Sequence, residues 1–239
     1  MSRIGNKMMK KESPIILLSG MGADARIFEK QMKALPTLRV PAWVTPLPHE
    51  SLSEYAIRFA AEINPGELCF IGGASFGGFV ALEMLNHLDV KACFLIGSVR
   101  SPSEFPRRFK VLNGISQGMG TFPFETAILL SKLTLLSSGS RVKGHWSEII
   151  AQLSESDALF LKWACRAVLE WSGVSHAEQV PVYQIHGDKD FVLPIKNTKP
   201  DRIVYGAGHA LSMSHPDAVT TFLKDMMERH VEQSASSGK

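Results

Sequence analysis

The sequence predicts an α/β fold, with a trimmed, mainly parallel sheet of about six strands, flanking helices and one helical insertion. Short apolar segments alternate with stretches of helical spacing over residues 14–98, and the alternation resumes over 179–231. Between these stretches, residues 99–178 show helical patterns with no strand separating them. Alternating strands and helices are typical of a parallel sheet with crossover helices. We therefore expect a core at 14–98 and 179–231, an insertion at 99–178, and flexible termini at 1–13 and 232–239.

The first half of the chain supplies four strands and three helices. Apolar runs predict strands at 14–19, 38–44, 67–73 and 90–98. Helical spacing predicts helices at 23–35, 50–63 and 76–88. Pro41 weakens the second strand because proline cannot donate to a sheet. Ser51 and Glu54 have the spacing of a capping box, which predicts the start of the second helix.

The second half begins with the insertion and then returns to the sheet. Helical patterns at 124–136, 145–153 and 157–171 fall within the insertion. Strands are predicted at 180–187 and 202–206, and a final helix at 216–231. The last residues, 232–239, are polar and small and are expected to be disordered.

A serine between two glycines follows the third strand. Gly73-Ala74-Ser75-Phe76-Gly77 fits the pattern G-x-S-x-G and lies directly between a predicted strand and a predicted helix. A sharp strand-to-helix turn crowds the residues two before and two after its centre, so both must be small. Such a turn presents the serine hydroxyl above the sheet, where it can act as a nucleophile.

A serine nucleophile needs a base and a group that orients the base. His209 follows the last strand, so it is expected at the same sheet edge as Ser75. His215 adjoins a proline at the start of the final helix, and His186 lies within a strand and is interpreted as structural. For the acid, Asp188 and Asp190 both follow the strand at 180–187. Asp188 could cap the turn, whereas Asp190 is better placed to reach the loop of His209.

The segments "LLSGMGADARIF", "IGGASFGGFVALEM", "IHGDKDFVLP" and "YGAGHALSMSHP" resemble the α/β-hydrolase superfamily, including small bacterial serine hydrolases. The resemblance extends from about residue 14 to 231. It implies an α/β-hydrolase fold with a helical lid at 99–178, and a catalytic triad of Ser75, Asp190 and His209. It also implies an oxyanion hole made by the backbone N–H groups of Met21 and Phe76.

The chain departs from the family pattern in three ways. Ser19-Gly20 stands where the family usually carries His-Gly before the oxyanion donor. Few residues precede the first strand, so the family's first two antiparallel strands are not expected. The segment between Asp190 and His209 is short, so its helix should have only one or two turns.

Composition and charge exclude several other classes of protein. The net charge of +3 is too small for the concentration of Lys and Arg residues that is typical of a nucleic-acid-binding protein. No apolar stretch is long enough for a membrane span or a signal peptide. Three widely spaced cysteines in apolar contexts indicate reduced, buried thiols in a cytoplasmic protein. No metal-ligand spacing occurs, and we expect neither a metal nor a cofactor.

The expected activity is that of a serine carboxylesterase acting on a small, largely apolar acyl ester through an acyl-enzyme. Thioesters, lactones and amides share this chemistry, so thioesterase or lactonase activity remains an alternative. A second alternative is a ligand sensor that keeps the triad without turnover. The segment 20–25 also fits a dinucleotide fingerprint, but the next strand offers no acidic residue at its end.

Overall fold

The computed structural model describes residues 12–109, 146–174 and 180–237. Six strands form one parallel sheet in the order β2-β1-β3-β4-β5-β6. The strands are β1 Ile15–Leu18, β2 Leu38–Arg39, β3 Cys69–Ala74, β4 Val90–Ile96, β5 Val182–Gly187 and β6 Arg202–Val204. This architecture confirms the predicted trimmed parallel sheet.

Helices cover both faces of the sheet. They are α1 Glu29–Ala34, α2 Leu52–Ile63, α3 Phe76–Glu83, α4 Trp146–Glu155, α5 Ala158–Glu170, α6 Leu211–Ser214 and α7 Pro216–Ser237. Short 3₁₀ turns occur at Ala25–Phe28, Met84–Asn86, Pro102–Glu104 and Ile195–Asn197. The turn Ile195–Asn197 is the only helical element between β5 and β6 in the described chain. It agrees with the helix of one or two turns predicted between Asp190 and His209. The helix predicted at 124–136 lies outside the described residues.

The alternation of side chains along the central strands divides the core into two layers. Ile15 and Leu17 of β1 pack in the layer that contains Phe222 of α7. Ile16 and Leu18 point to the opposite face and pack in the layer that contains α2, α3 and α5. Both faces of the sheet are therefore buried, which explains why its strands read as continuous apolar runs.

The helix α2 starts as its sequence predicts. The Ser51 hydroxyl accepts a hydrogen bond from the Glu54 amide at 3.3 Å, and the Glu54 carboxylate accepts one from the Ser51 amide at 2.9 Å. This reciprocal pair satisfies two amide groups that a helix end would otherwise leave without partners.

Several element boundaries differ from the predictions, and three of the differences have a local explanation. The strand predicted at 38–44 has only two residues, because Pro41 has no N–H to pair with a neighbour. The helix predicted at 23–35 is divided into a 3₁₀ turn and α1, and the Asp24 side chain caps the turn. The helix α7 continues through Ser237, so the tail expected to be disordered is helical there; it contains neither glycine nor proline up to that residue.

None of the helices in the described ranges is long and apolar enough to cross a membrane. Cys69, Cys93 and Cys165 are all buried and free, as predicted. Burial raises the pKa of Cys69 to about 11 and that of the other two thiols to about 12, so these thiols are held in the unreactive protonated form.

Candidate active site

Ser75 occupies a strained turn between β3 and α3. Its backbone has φ 50° and ψ −116°, a left-handed φ that is uncommon for any residue except glycine. A Cβ atom at Gly73 would lie 2.3 Å from the carbonyl carbon of Gly77, and one at Gly77 would lie 2.3 Å from the carbonyl oxygen of Leu18. The crowding predicted for the G-x-S-x-G turn is therefore present, and it explains why both flanking positions are glycine.

His209 reaches Ser75 from the loop that follows β6. Its Nε2 atom lies 2.8 Å from the Ser75 hydroxyl, and its Nδ1 atom lies 2.8 Å from Asp190 Oδ2. A carboxylate only accepts, so Nδ1–H donates to Asp190 and leaves Nε2 free to accept from the serine. The structure thus brings together the three predicted residues in the order hydroxyl, imidazole, carboxylate.

Asp190 accepts hydrogen bonds at both of its oxygens. Oδ1 accepts from the backbone N–H groups of Val192 and Leu193, both at 2.9 Å. Burial alone would raise the pKa of this carboxyl, but the electrostatic interaction with the His209 imidazole and the hydrogen bonds from His186 and His209 outweigh it and hold the pKa well below its usual range. Asp190 is therefore an ionised, fixed partner for the imidazole.

Asp188 lies in the same turn but has a different role. Its Oδ1 atom accepts a hydrogen bond from the backbone N–H of Gly206 at 2.6 Å, which ties the turn after β5 to the turn after β6. The predicted choice between the two aspartates thus agrees with the geometry around His209.

Two residues near the carboxylate were not assigned to the site by the sequence. The fully buried His186 lies with Nε2 at 2.6 Å from the carbonyl oxygen of Leu193 and 3.2 Å from Asp190 Oδ2. Arg108 donates to the carbonyl oxygens of Phe191 and Val192 in the same loop. The four-residue interval between His186 and Asp190, across a turn, was a signal for the contact of His186 with the carboxylate. Nothing in the local sequence indicates that Arg108 binds this loop.

The two predicted oxyanion donors, Phe76 and Met21, belong to two segments that meet at Ser75. Phe76 opens α3, so its N–H belongs to the first turn, whose amides have no acceptor within the helix. Met21 lies in the loop after β1, next to Gly20. A Cβ atom at Gly20 would lie 4.0 Å from the Ser75 Cβ atom. The loop backbone is therefore beside the nucleophile.

Ser19 stabilises this loop although it replaces the expected histidine. Its hydroxyl donates to the carbonyl oxygen of Ala23 at 2.8 Å, and its side chain is buried. The Trp43 indole N–H donates to the carbonyl oxygen of Gly20 at 3.4 Å. These two bonds give the loop a support that does not depend on histidine.

Helix α5 of the insertion packs over the same region. The rings of Trp43 and Phe76 lie 5.4 Å apart, and Phe160 of α5 lies 5.5 Å from Trp43. The Trp163 indole donates to the carbonyl oxygen of Glu50 at 2.7 Å, and that of Trp171 donates to Glu83 at 2.6 Å. Trp163 of α5 and Trp171, which directly follows α5, therefore both contact the core. Phe122 and Phe124, two further apolar residues of the insertion, lie outside the described residues.

Solved structures with the same fold include several hydrolases. A thermophilic esterase from Thermogutta terrifontis is 15% identical with a TM-score of 0.67, over 92% of this chain and 90% of that chain. A structure from work on carboxylesterases of Nitrososphaera gargenis is 18% identical with a TM-score of 0.66, over 93% and 92%. The enol-lactonase from Burkholderia xenovorans LB400 is 15% identical with a TM-score of 0.62, over 91% and 92%.

The curated proteins compared with the chain include no match. At the level of whole families, the sequence profile of the alpha/beta hydrolase family matches residues 15–221, which is most of the chain. That range contains the turn of Ser75 and the loops of Asp190 and His209. The chain therefore belongs to the alpha/beta hydrolase family.

Proposed function

We propose that this hydrolase is a serine carboxylesterase that cleaves a small, largely apolar acyl ester through an acyl-enzyme. The observation that carries the proposal is the chain of two 2.8 Å contacts from the Ser75 hydroxyl through His209 to Asp190. A serine alone is a weak nucleophile, and this arrangement supplies both its base and the group that orients the base.

The first half of the reaction forms the acyl-enzyme. The Ser75 oxygen attacks the ester carbonyl while His209 Nε2 takes the hydroxyl proton. The developing oxyanion is stabilised by the N–H groups of Phe76 and Met21. The intermediate then collapses, the bond to the alcohol oxygen breaks, and His209 returns the proton to the leaving alcohol. Asp190 stays ionised throughout and stabilises the imidazolium.

The second half repeats these steps with water. His209 takes a proton from a water molecule, whose oxygen attacks the acyl carbon. The second tetrahedral intermediate releases the carboxylic acid and restores the Ser75 hydroxyl with the proton held by His209. No step in this cycle requires a metal or a cofactor.

The surroundings of Ser75 support an apolar acyl group. Phe76, which follows Ser75 in the chain, is buried, and Met21, which follows Gly20 in the loop beside Ser75, is partly buried with its sulfur 3.5 Å from that of Cys165 in α5. We propose that residues 99–178, which include α4 and α5, form a lid that selects the substrate. Lids of this kind exclude water and shape the pocket. The apolar segment 118–130 lies outside the described residues, so its role stays a prediction: most of its side chains are expected to pack between lid and core, and some could line the acyl pocket.

Related activities share the same chemistry. One neighbour in structure is an enol-lactonase, and lactones react with a serine nucleophile by the same steps. Lactonase activity is therefore the second candidate. The three buried, free cysteines support our proposal of a cytoplasmic location.

The test is Ser75→Ala, with Ser53→Ala on the exposed side of α2 as the matched control. On p-nitrophenyl acyl esters, the first variant should keep its circular dichroism spectrum and lose kcat/KM by several orders of magnitude. A fluorophosphonate should add to the wild type and the control at one site and leave Ser75→Ala unlabelled. If folded Ser75→Ala kept near-wild-type turnover, Ser75 would not be the nucleophile. A folded wild type that turns over no ester, thioester or lactone would favour the ligand sensor.

A further inference from the structure

Ser98 contacts the backbone of the candidate nucleophile from the neighbouring strand. It follows the end of β4 by two positions and is fully buried. Its hydroxyl lies 2.8 Å from the backbone carbonyl oxygen of Ser75, and because a carbonyl oxygen only accepts, the hydroxyl donates this bond. A Cβ atom at Gly78 would lie 2.3 Å from the same hydroxyl oxygen. The glycine at position 78 therefore leaves the space in which Ser98 reaches Ser75.

The segment after β4 holds the Ser75 backbone from both sides. The Ser75 N–H donates to the carbonyl oxygen of Ile96 at 3.1 Å, and the Ser75 carbonyl accepts from the Ser98 hydroxyl. The same carbonyl accepts a second bond from the Gly78 N–H at 3.0 Å. The φ of 50° at Ser75 is strained, and such strain persists only where the surroundings fix the backbone. These three bonds supply that constraint.

The carbonyl that Ser98 binds belongs to the same peptide unit as a proposed oxyanion donor. This peptide carries the Ser75 carbonyl on one side and the Phe76 N–H on the other. A peptide unit is planar, so a bond that fixes the direction of its carbonyl also fixes the direction of its N–H. A hydrogen bond accepted by the carbonyl also polarises the unit and makes the N–H a stronger donor, since hydrogen bonds in a chain strengthen one another.

Ser98 is itself held by a buried polar network. The fully buried Gln184 of β5 donates through Nε2 to the Ser98 carbonyl oxygen at 2.7 Å, and its Oε1 accepts from Arg100. The Asp201 carboxylate accepts from Arg100 at 2.8 Å and from the Gln184 backbone N–H at 2.8 Å. Because both ends of the Gln184 amide are bonded, the segment that carries Ser98 is fixed against β5.

We propose that Ser98 is a positioning residue of the oxyanion hole, whose hydroxyl orients and polarises the peptide that presents the Phe76 N–H to the developing oxyanion. The inference deepens the proposed esterase function and rests on it, because an oxyanion forms only when Ser75 attacks an acyl carbonyl. Ser98 acts through the peptide. Its contribution therefore belongs to the chemical step and not to the binding of substrate.

The expected loss of activity follows from two general magnitudes. One oxyanion donor contributes roughly 10²–10³-fold to kcat, and a neighbouring hydrogen bond strengthens a donor by roughly 10–30%. Taking that fraction of the exponent, Ser98→Ala should lower kcat by roughly two- to eightfold. KM should stay unchanged, because the interaction that weakens is made in the transition state. The pH midpoint of kcat/KM should also stay unchanged, since Ser98 makes no hydrogen bond to His209 in the described structure.

A measurement on the resting enzyme tests the Ser98 hydrogen bond without turnover. Ser75-Phe76 is the only serine–phenylalanine pair in the chain, so protein labelled with carbonyl-¹³C serine and ¹⁵N phenylalanine gives a single HNCO peak. Loss of the bond should move the Ser75 carbonyl resonance to higher field in Ser98→Ala. Ser98→Cys should show a shift in the same direction, because a thiol is a weak donor. An unmoved resonance in either variant that folds would overturn the proposal.

Thr220→Val is the matched control. The Thr220 hydroxyl donates to the carbonyl oxygen of Pro216 at 2.9 Å within α7, which packs on the face of the sheet opposite α3. The variant therefore loses a bond of the same kind away from Ser75. Its HNCO peak and its kinetic constants should equal those of the wild type.

The kinetic measurement on p-nitrophenyl esters tests whether the bond serves the oxyanion. Ser98→Ala, shown to be folded by circular dichroism, should lose kcat by the stated factor at constant KM. An unchanged kcat would overturn the proposal. A shifted pH midpoint of kcat/KM would also overturn it, because Ser98 would then act on His209. A wild type that turns over no ester would refute the esterase function instead, and the HNCO shift distinguishes the two failures because it does not depend on turnover.

Discussion

Replacing Asp190 by asparagine should reverse the hydrogen bonding of His209. The Asp190 carboxylate accepts at Oδ1 from the N–H groups of Val192 and Leu193, and at Oδ2 from His209. An amide has one accepting oxygen and one donating NH₂ group. The two backbone donors cannot rotate away, so they retain the oxygen and turn the NH₂ group toward His209.

The size of the expected loss of activity follows from the His209 tautomer that this NH₂ group imposes. Nδ1 of His209 must then accept, so the proton moves to Nε2, which lies 2.8 Å from the Ser75 hydroxyl. An Nε2 that carries a proton cannot take one from serine. Loss of the correct tautomer in a serine triad lowers kcat by roughly 10⁴, or about 5 kcal/mol of barrier. We expect a loss of that order for Asp190→Asn.

The assay is kcat/KM on a p-nitrophenyl ester, with Asp188→Asn as the control. Asp188 accepts from the Gly206 amide and makes no contact with His209 in the described structure, so its variant should lose less than about tenfold. Circular dichroism and thermal melting show whether both variants are folded. The reasoning is refuted if the folded Asp190→Asn variant keeps activity near that of the wild type, or if Asp188→Asn loses more.

Two further predictions concern stability. Gly77→Ala would place a methyl group 2.3 Å from the carbonyl oxygen of Leu18, so the free energy of unfolding should fall by about 3 kcal/mol and Tm by about 6–12 °C. In the control Gly20→Ala, the nearest heavy atom would be 3.9 Å from the new methyl group, so this variant should melt near the wild type. Equal Tm values for the two variants would contradict the crowding argument. The folded-state pKa of Asp190 lies below its unfolded value of about 3.9, so its charge stabilises the fold above that pH and this contribution is lost as pH falls through the folded pKa. The difference in Tm between the wild type and Asp190→Asn should therefore shrink steadily below about pH 4. A Tm difference that stays constant down to pH 2 would contradict a stabilising role of the Asp190 charge.

Sequence was sufficient for the parts of the molecule that depend on local chemistry. Apolar runs and helical spacing predicted the six parallel strands, and the capping box at Ser51 predicted the start of α2. The glycines at 73 and 77 predicted the turn of Ser75. The crowding at Gly73 is local, because a Cβ atom there would meet Gly77, whereas a Cβ atom at Gly77 would meet Leu18 of β1, a contact that the local sequence does not show. Chain order and the common edge of parallel strands placed Asp190 and His209 near this turn.

Only the tertiary structure decided which distant groups meet. His186 was interpreted as a structural strand residue, yet the turn after β5 returns the chain so that its imidazole contacts the Asp190 carboxylate. Gln152 lies 128 residues from Asp24 along the chain, and no local pattern indicates that these two positions are bonded. Hydrogen bonds between distant segments depend on how helices and loops pack, and packing is set by the shape and volume of the whole core, which a short stretch of sequence does not encode.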